Sequence, residues 1–254
     1  MEGYLRTIGF SNVCTKKQID NLLGEVMTTP TFINEKAYNN KEKQIELSKI
    51  FAEGIGITIC GYYDNKGFFH LDHYHPFVFN NMSSIEDELY FNKKIDKVEY
   101  SCLCDDTRLG VTLTFYLQNV IEYITMDSSR NELSMHSIRL SGLCTDGKVL
   151  LPVVKNNKKL NKTKDDIYTI VENSFYPKHD KYDCYSIVGT IKAVYDRMNY
   201  LTKEEMFLLQ VECKGVTISI LINKKDLMGM PSIGARFKGD IWLQGYVNFN
   251  IGKN

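Results

Sequence analysis

The chain has no Cys-x-x-Cys pair, no Gly-rich loop ending in Lys-Ser or Lys-Thr, and no Gly-x-Ser-x-Gly turn. Those absences exclude a zinc-knuckle or thioredoxin-like motif, a phosphate-cradling P-loop and an α/β-hydrolase nucleophile. The longest stretches free of Asp, Glu, Lys and Arg run from His73 to Ile85 and from Leu109 to Ile121, 13 residues each. A spanning helix needs about 20 apolar residues, so no membrane span is expected. There is also no charge of one sign in excess: 31 basic side chains stand against 31 acidic ones. This argues against a body that tracks nucleic acid or an anionic membrane. The seven cysteines are odd in number and scattered, unlike a disulfide scaffold. Met1-Glu2-Gly3-Tyr4 does not read as a secretory leader, so a reducing cytoplasm is expected.

What is present is a hydrophobic content of 43% and a charged content of 24%, enough for a sizeable core. The neutral total hides an asymmetry. Residues 1–154 carry 15 basic and 20 acidic side chains, and residues 155–254 carry 16 and 11. Five of the latter lysines (155, 158, 159, 162 and 164) sit in one polar stretch, so the excess reads as a basic linker. The chain then divides into an antiparallel unit at 1–154, a linker with a short helix at 155–180, and a β unit at 181–254.

Thr15-Lys16-Lys17-Gln18 has the form of a capping box, and Ile19, Leu22, Leu23 and Val26 follow at helical spacing. From residue 44 the period changes to two, with turn chemistry at Asp64-Asn65-Lys66-Gly67. Ser83-x-x-Glu86 predicts a short helix to about residue 94. Residues 98–104 and 110–124 read as two long strands. Asp146-Gly147 predicts a hairpin between 137–144 and 148–154. Thr163 is expected to cap a second helix that Pro177 stops. Lys214-Gly215 reads as a two-residue turn between strands 206–213 and 216–223. The long last strand, 234–247, contains Gly239 and Gly245, which suit tight coiling. The expected class is α+β and mostly antiparallel, an N-terminal sheet with a flanking helix plus a small C-terminal OB-like barrel.

Four segments carry a resemblance: Gly9-Phe10-Ser11, IGITICGYYD at 55–64, CDDTRLGVTLTFYLQNVIEY at 104–123 and INKKDLMGMPSIGARFKGDIWLQGYVNF at 222–249. Together they resemble a bacterial family catalogued as a domain of unknown function, nearly end to end. The resemblance implies no activity, substrate or catalytic residue. HLDHYH at 70–75 and the Lys-rich linker lie outside these segments.

Several constellations invite chemistry. In HLDHYH, strand alternation puts His73 and His75 on one face, the start of a metal site but short of the three or four ligands required. The bland alternative is partly exposed strand histidines beside aromatics. Cys102 and Cys104 share a strand face and read first as buried core thiols. Asp105 and Asp106 are neighbours on a strand or turn, and so form no acid/base pair by themselves. On the last strand Arg236, Lys238, Trp242 and Tyr246 share a side, a mix that stacks bases and holds phosphates. The opposing reading buries Trp242 against the rest of the molecule.

The favoured function is a non-enzymatic cytoplasmic binding or interaction protein, with no cofactor and with a protein as the possible partner. The alternatives are single-stranded nucleic-acid binding through Arg236, Lys238, Trp242 and Tyr246, and a metal- or Cys-dependent enzyme using His73 and His75 or Cys102 and Cys104.

Overall fold

Thr15 caps the first helix, α1 (Lys16–Thr28), as the sequence predicts. Its hydroxyl accepts the Gln18 backbone N–H at 3.3 Å, and the Gln18 side chain accepts the Thr15 N–H at 3.0 Å. Ile19, Leu22, Leu23 and Val26 form its buried stripe. This computed structural model describes residues 2–39, 42–79, 85–91, 101–106, 111–124, 135–150, 173–178 and 181–249.

The helix lies on a four-stranded antiparallel meander: β1 (Phe32–Asn39), β2 (Glu42–Ala52), β3 (Ile55–Tyr63) and β4 (Phe69–Val78). Ile45, Leu47, Ile57 and Ile59 share a core cluster with the helix stripe. Lys49, on the same face, reaches Glu25 of α1 at 2.9 Å. The β3–β4 turn uses Asp64, whose Oδ1 accepts the backbone N–H groups of Lys66 and Phe68, both at 2.9 Å. The opposite face of this meander carries Glu46, Ser48, Thr58, Cys60, His73 and His75, because directly paired residues across strands project to one side.

The remaining strands form a ten-stranded sheet. They are β5 (Ile85–Phe91), β6 (Ser101–Asp106), β7 (Val111–Leu117), β8 (Met135–Leu150), β9 (Ser174–Lys178), β10 (Lys181–Met198), β11 (Glu205–Cys213), β12 (Val216–Asn223), β13 (Leu227–Met228) and β14 (Arg236–Asn248). The order is β11-β12-β8-β5-β6-β7-β14-β10-β9, with β13 on β8 and further pairings β11–β10 and β8–β14. A short helix, α2 (Val120–Ile124), follows β7. The core cluster of this sheet draws Ile187, Leu209, Ile220, Phe237, Ile241 and Leu243 from four of its strands, β10, β11, β12 and β14, and β11 pairs back onto β10, so the sheet curls onto itself.

The class is therefore strand-rich and mostly antiparallel, with few helices. The C-terminal strands do not form a sheet of their own: they belong to a larger sheet with β5–β8, and β12 runs parallel to β8. Residues 85–150, read with the N-terminal unit, thus hydrogen-bond to C-terminal strands. Residues 85–91, expected as a helix after Ser83, pair with β6 and β8 instead, so tertiary pairing overrides the local cap signal. Asp146-Gly147 makes no hairpin, because β8 runs straight through it between β12 and β14. Gly147 serves packing: a Cβ there would lie 2.8 Å from the Phe237 ring and 2.9 Å from Ile222. The expected strand 110–124 ends at Leu117 and turns into α2. Pro177, expected to stop a second helix, lies within β9 together with Phe175, while the start of that helix and the basic linker 155–164 fall outside the described residues.

The N-terminal segment, a 3-10 helix at Glu2–Ile8 and the turn after it, is tied to the far end of the chain. Asn199 Nδ2 donates to the Ile8 carbonyl at 2.8 Å, and the Thr202 hydroxyl donates to the Gly9 carbonyl at 2.6 Å. Glu204 accepts from the Ser11 hydroxyl and from Asn223 Nδ2, at 2.6 and 2.7 Å, and Arg6 pairs with Asp226. Gly9 has φ +86, and a Cβ there would sit 2.8 Å from the Asn199 side chain. Among the described residues no helix is long and apolar enough to cross a membrane.

Candidate metal centre

Cross-strand register builds the site. Glu46 of β2 faces Cys60 of β3, and Cys60 faces His73 of β4; in the next row Ser48, Thr58 and His75 are partners. The β3–β4 ladder slips by one residue here, since Gly61 pairs with Leu71 but Cys60 pairs with His73. Asp72 is the extra residue of this bulge, and the slip sets Cys60 on the histidine face.

Cys60, His73 and His75 each offer one donor atom, and these atoms all lie within 4.8 Å of one another. All three side chains are buried, at 6%, 7% and 0% exposure. The expectation of partly exposed histidines is thus corrected for His73 and His75: Tyr116 of β7 packs against both rings. Of the three histidines at 70–75 the exposed one is His70, which pairs with Asp64 at 3.0 Å and stacks on Tyr62, apart from the cluster.

His75 Nδ1 lies 2.9 Å from the Tyr116 hydroxyl, while His75 Nε2 and both ring nitrogens of His73 have no hydrogen-bond partner. Burial lowers the pKa of His73 to about 4. Burial first, and the neighbouring His73 second, push His75 well below its ordinary value. Burial also raises the Cys60 thiol, with further contributions from the Glu46 and Asp72 carboxylates. Without an ion the cluster therefore holds two neutral imidazoles and a protonated thiol. Unpartnered polar atoms in an interior cost about 1–3 kcal/mol each. A metal ion would relieve two of these three nitrogens, one from each imidazole, and would displace the thiol proton. One thiolate and two imidazoles within bonding reach of a common centre suit zinc or another first-row transition ion. Were His75 to bind through Nε2, its Nδ1–H would donate to the Tyr116 hydroxyl, an outer hydrogen bond of the kind that fixes tautomer and ring orientation.

Histidine spacing on β4 was legible in the sequence, but Cys60 was not nominated with it. The signal was a hairpin count across the Asp64–Gly67 turn, and it fails by one residue unless the bulge is known. Cys102 and Cys104 lie on β6, which pairs with β5 and β7, and their side chains fall outside the described residues.

The last-strand face does not form the nucleic-acid surface its residue types suggest. Trp242 is buried at 4% exposure, donates its indole N–H to Asp183 at 2.6 Å, and packs between Tyr4 and Tyr116 with ring centroids 5.0 and 5.2 Å away. A ring so enclosed stacks on no base. Arg236 is buried too, Lys238 is half-buried, and the half-buried Tyr246 donates its hydroxyl to Glu122 at 3.2 Å.

A family model described as a domain of unknown function, DUF3881, named after an E. rectale gene, matches residues 5–165 and again 158–245. No curated protein and no solved structure matches the chain.

Proposed function

Since the chain belongs to the DUF3881 family, whose function is unknown, no inherited activity guides the reading, and we propose from the site itself that this is a metal-binding protein. Cys60, His73 and His75 would hold one transition-metal ion between the small sheet and β7. The observation that carries this reading is the convergence of three buried donors, two of them imidazoles whose ligating nitrogens have no other partner. Binding is favoured over catalysis because donors at 0–7% exposure enclose the ion and keep a substrate-sized molecule from it. The ion would pin the β3–β4 hairpin to Tyr116 and so to the large sheet.

Two finer readings accompany this one. The cycle of pairings β11–β12–β8–β14–β10 and back to β11 supports an OB-like closed body as the platform for the site. The free thiols at Cys14, Cys60, Cys144, Cys184 and Cys213 support a reducing cytoplasm, where Cys60 stays available as a ligand.

The test is elemental analysis of the full chain, reduced and then loaded with zinc, cobalt or copper(I) and freed of excess ion. One equivalent per chain is expected, lost in Cys60→Ser and His75→Ala variants that keep the wild-type circular dichroism. Wild-type protein that retains none of these ions refutes the reading.

A further inference from the structure

At the start of β14 the fold buries one cation and sets two more beside it. Arg236 is 7% exposed, and its Nη2 is buried without a hydrogen-bond partner. A guanidinium donates and never accepts, so only an acceptor or an anion satisfies it. Arg236 faces Leu150 of β8 on one side and Thr190 of β10 on the other, neither of them acidic. One row along, Lys238 stands directly opposite Lys148 of β8. Like charges so placed repel across Cβ atoms about 4.5–5.5 Å apart. Residues 236 and 238 project to one side of the strand, and Phe237 between them projects into the core. The three cations therefore share the outer face of the large sheet.

The acidic side chains of this face do not balance them. Glu212, next to Thr190 in the row of Arg236, pairs with Lys192 at 3.1 Å and accepts the Gly215 N–H at 2.9 Å. Asp240 is bonded by Lys178 and Ser186, with the charge of Lys238 nearby. Asp146 is exposed, two residues before Lys148. With Glu212 and Lys192 cancelling, Asp146 and Asp240 set against Arg236, Lys148, Lys178 and Lys238 leave two positive charges in excess. Depth grades the three cations, for Arg236 is buried, Lys238 half-buried and Lys148 exposed. Half-buried hydroxyls border them at Thr190, Ser186 and Ser174.

We propose that Arg236, Lys238 and Lys148 form a binding site for a phosphate dianion, free or as a phosphomonoester. The site is independent of the ion site between the sheets. The guanidinium binds phosphate oxygens through its N–H groups, and the lysines add charge. A phosphate group brings about two negative charges, which matches the excess, whereas a carboxylate brings one. Trp242, farther along β14, is enclosed and offers no platform for a base. The ligand is accordingly a discrete phosphate group and not a nucleic-acid strand.

Calorimetric and phosphorus NMR titrations of the full chain test this, with inorganic phosphate and with glycerol phosphate, at low and moderate salt. Saturable binding of one equivalent that weakens with salt is expected. Equal affinities identify the free ion as the ligand, and tighter binding of glycerol phosphate identifies an esterified group. Arg236→Gln is expected to weaken binding about tenfold or more. Arg236→Lys should recover little of it, because an ammonium lacks the planar fork. Lys148→Gln and Lys238→Gln should each weaken it about threefold. Urea midpoints separate binding from folding. Without phosphate, Arg236→Gln should be at least as stable as wild type, since it removes an unpaired buried charge. Added phosphate should raise the wild-type midpoint and leave that of Arg236→Gln unmoved. Absence of saturable binding for both phosphates, or equal binding in Arg236→Gln, overturns the site. A lowered midpoint for phosphate-free Arg236→Gln also overturns it, because the guanidinium would then already be satisfied within the fold.

Discussion

Inside the large sheet, Phe115, Phe237, Ile241 and Leu243 pack with no polar group among them, and glycines at 239 and 245 make room for the rings. Between the small sheet and β7, equal burial is spent on Glu46, Cys60, His73 and His75. The first interior lowers its energy with every contact and asks nothing of a ligand. The second leaves three imidazole nitrogens without partners, a cost that packing cannot remove. Both lie in one chain of ordinary hydrophobicity, so the polar interior is not for want of apolar residues. A polar cluster kept at a cost to stability marks where an interior does something besides fold.

The contrast is broken most forcefully from the apolar side. A Cβ at Gly245 would stand 2.3 Å from the buried Phe115 ring. Gly245→Val should therefore destabilise the protein by about 3 kcal/mol or more, read as a lowered urea midpoint. An unchanged midpoint would mean this core yields more than its packing implies.

Lowering the pH tests the polar side. In the unfolded chain a histidine takes up its proton near 6.5, whereas folded His73 does so only near about 4. Folding of the metal-free protein thus excludes a proton across that interval, and stability falls as the pH drops from 6.5 to about 4. His73 alone contributes about 3 kcal/mol of that loss. His75, lowered by the same burial, adds to the loss through this interval and carries it on to lower pH. Urea midpoints measured through this interval give the slope directly. A flat profile would contradict the burial of the pair.

The smallest effect has the opposite sign and sharpens the contrast most. His73→Leu removes two unpartnered nitrogens and makes the second interior more like the first. It should raise metal-free stability by about 1 kcal/mol, leave only the His75 share of the slope between pH 6.5 and 4, and abolish ion binding. A variant less stable than the metal-free wild type would show that His73 has a structural role which the ion does not explain.

Local signals were legible wherever a few adjacent residues decide the outcome. The Thr15 capping box, the Asp64–Gly67 turn and the Lys214-Gly215 turn, with φ of 51 and 86, form as written in the sequence. Signals that depend on a distant neighbour were not legible. Asp146-Gly147 looks like a hairpin until β12 and β14 claim both edges of β8. Trp242 looks like a stacking platform until Tyr4, Tyr116 and Asp183 enclose it. Cys60 joins the histidines through one extra residue at Asp72, and strict alternation would have sent it to the other face. The candidate site thus rests on a slip in register that no periodicity displays.

The clasp between the two ends of the chain sets an order of events during synthesis. Asn199 and Ile8 are 191 residues apart, and Arg6 and Asp226 are 220 apart. Leu5, Ile8 and Phe10 share their cluster with Met206, Leu208 and Leu221, so they have no finished surface to rest on until those strands leave the ribosome. The segment around residues 4–11 is accordingly made well before the strands it rests on and docks only after them. Closing a loop of that length is slow, and apolar side chains wait exposed while it happens.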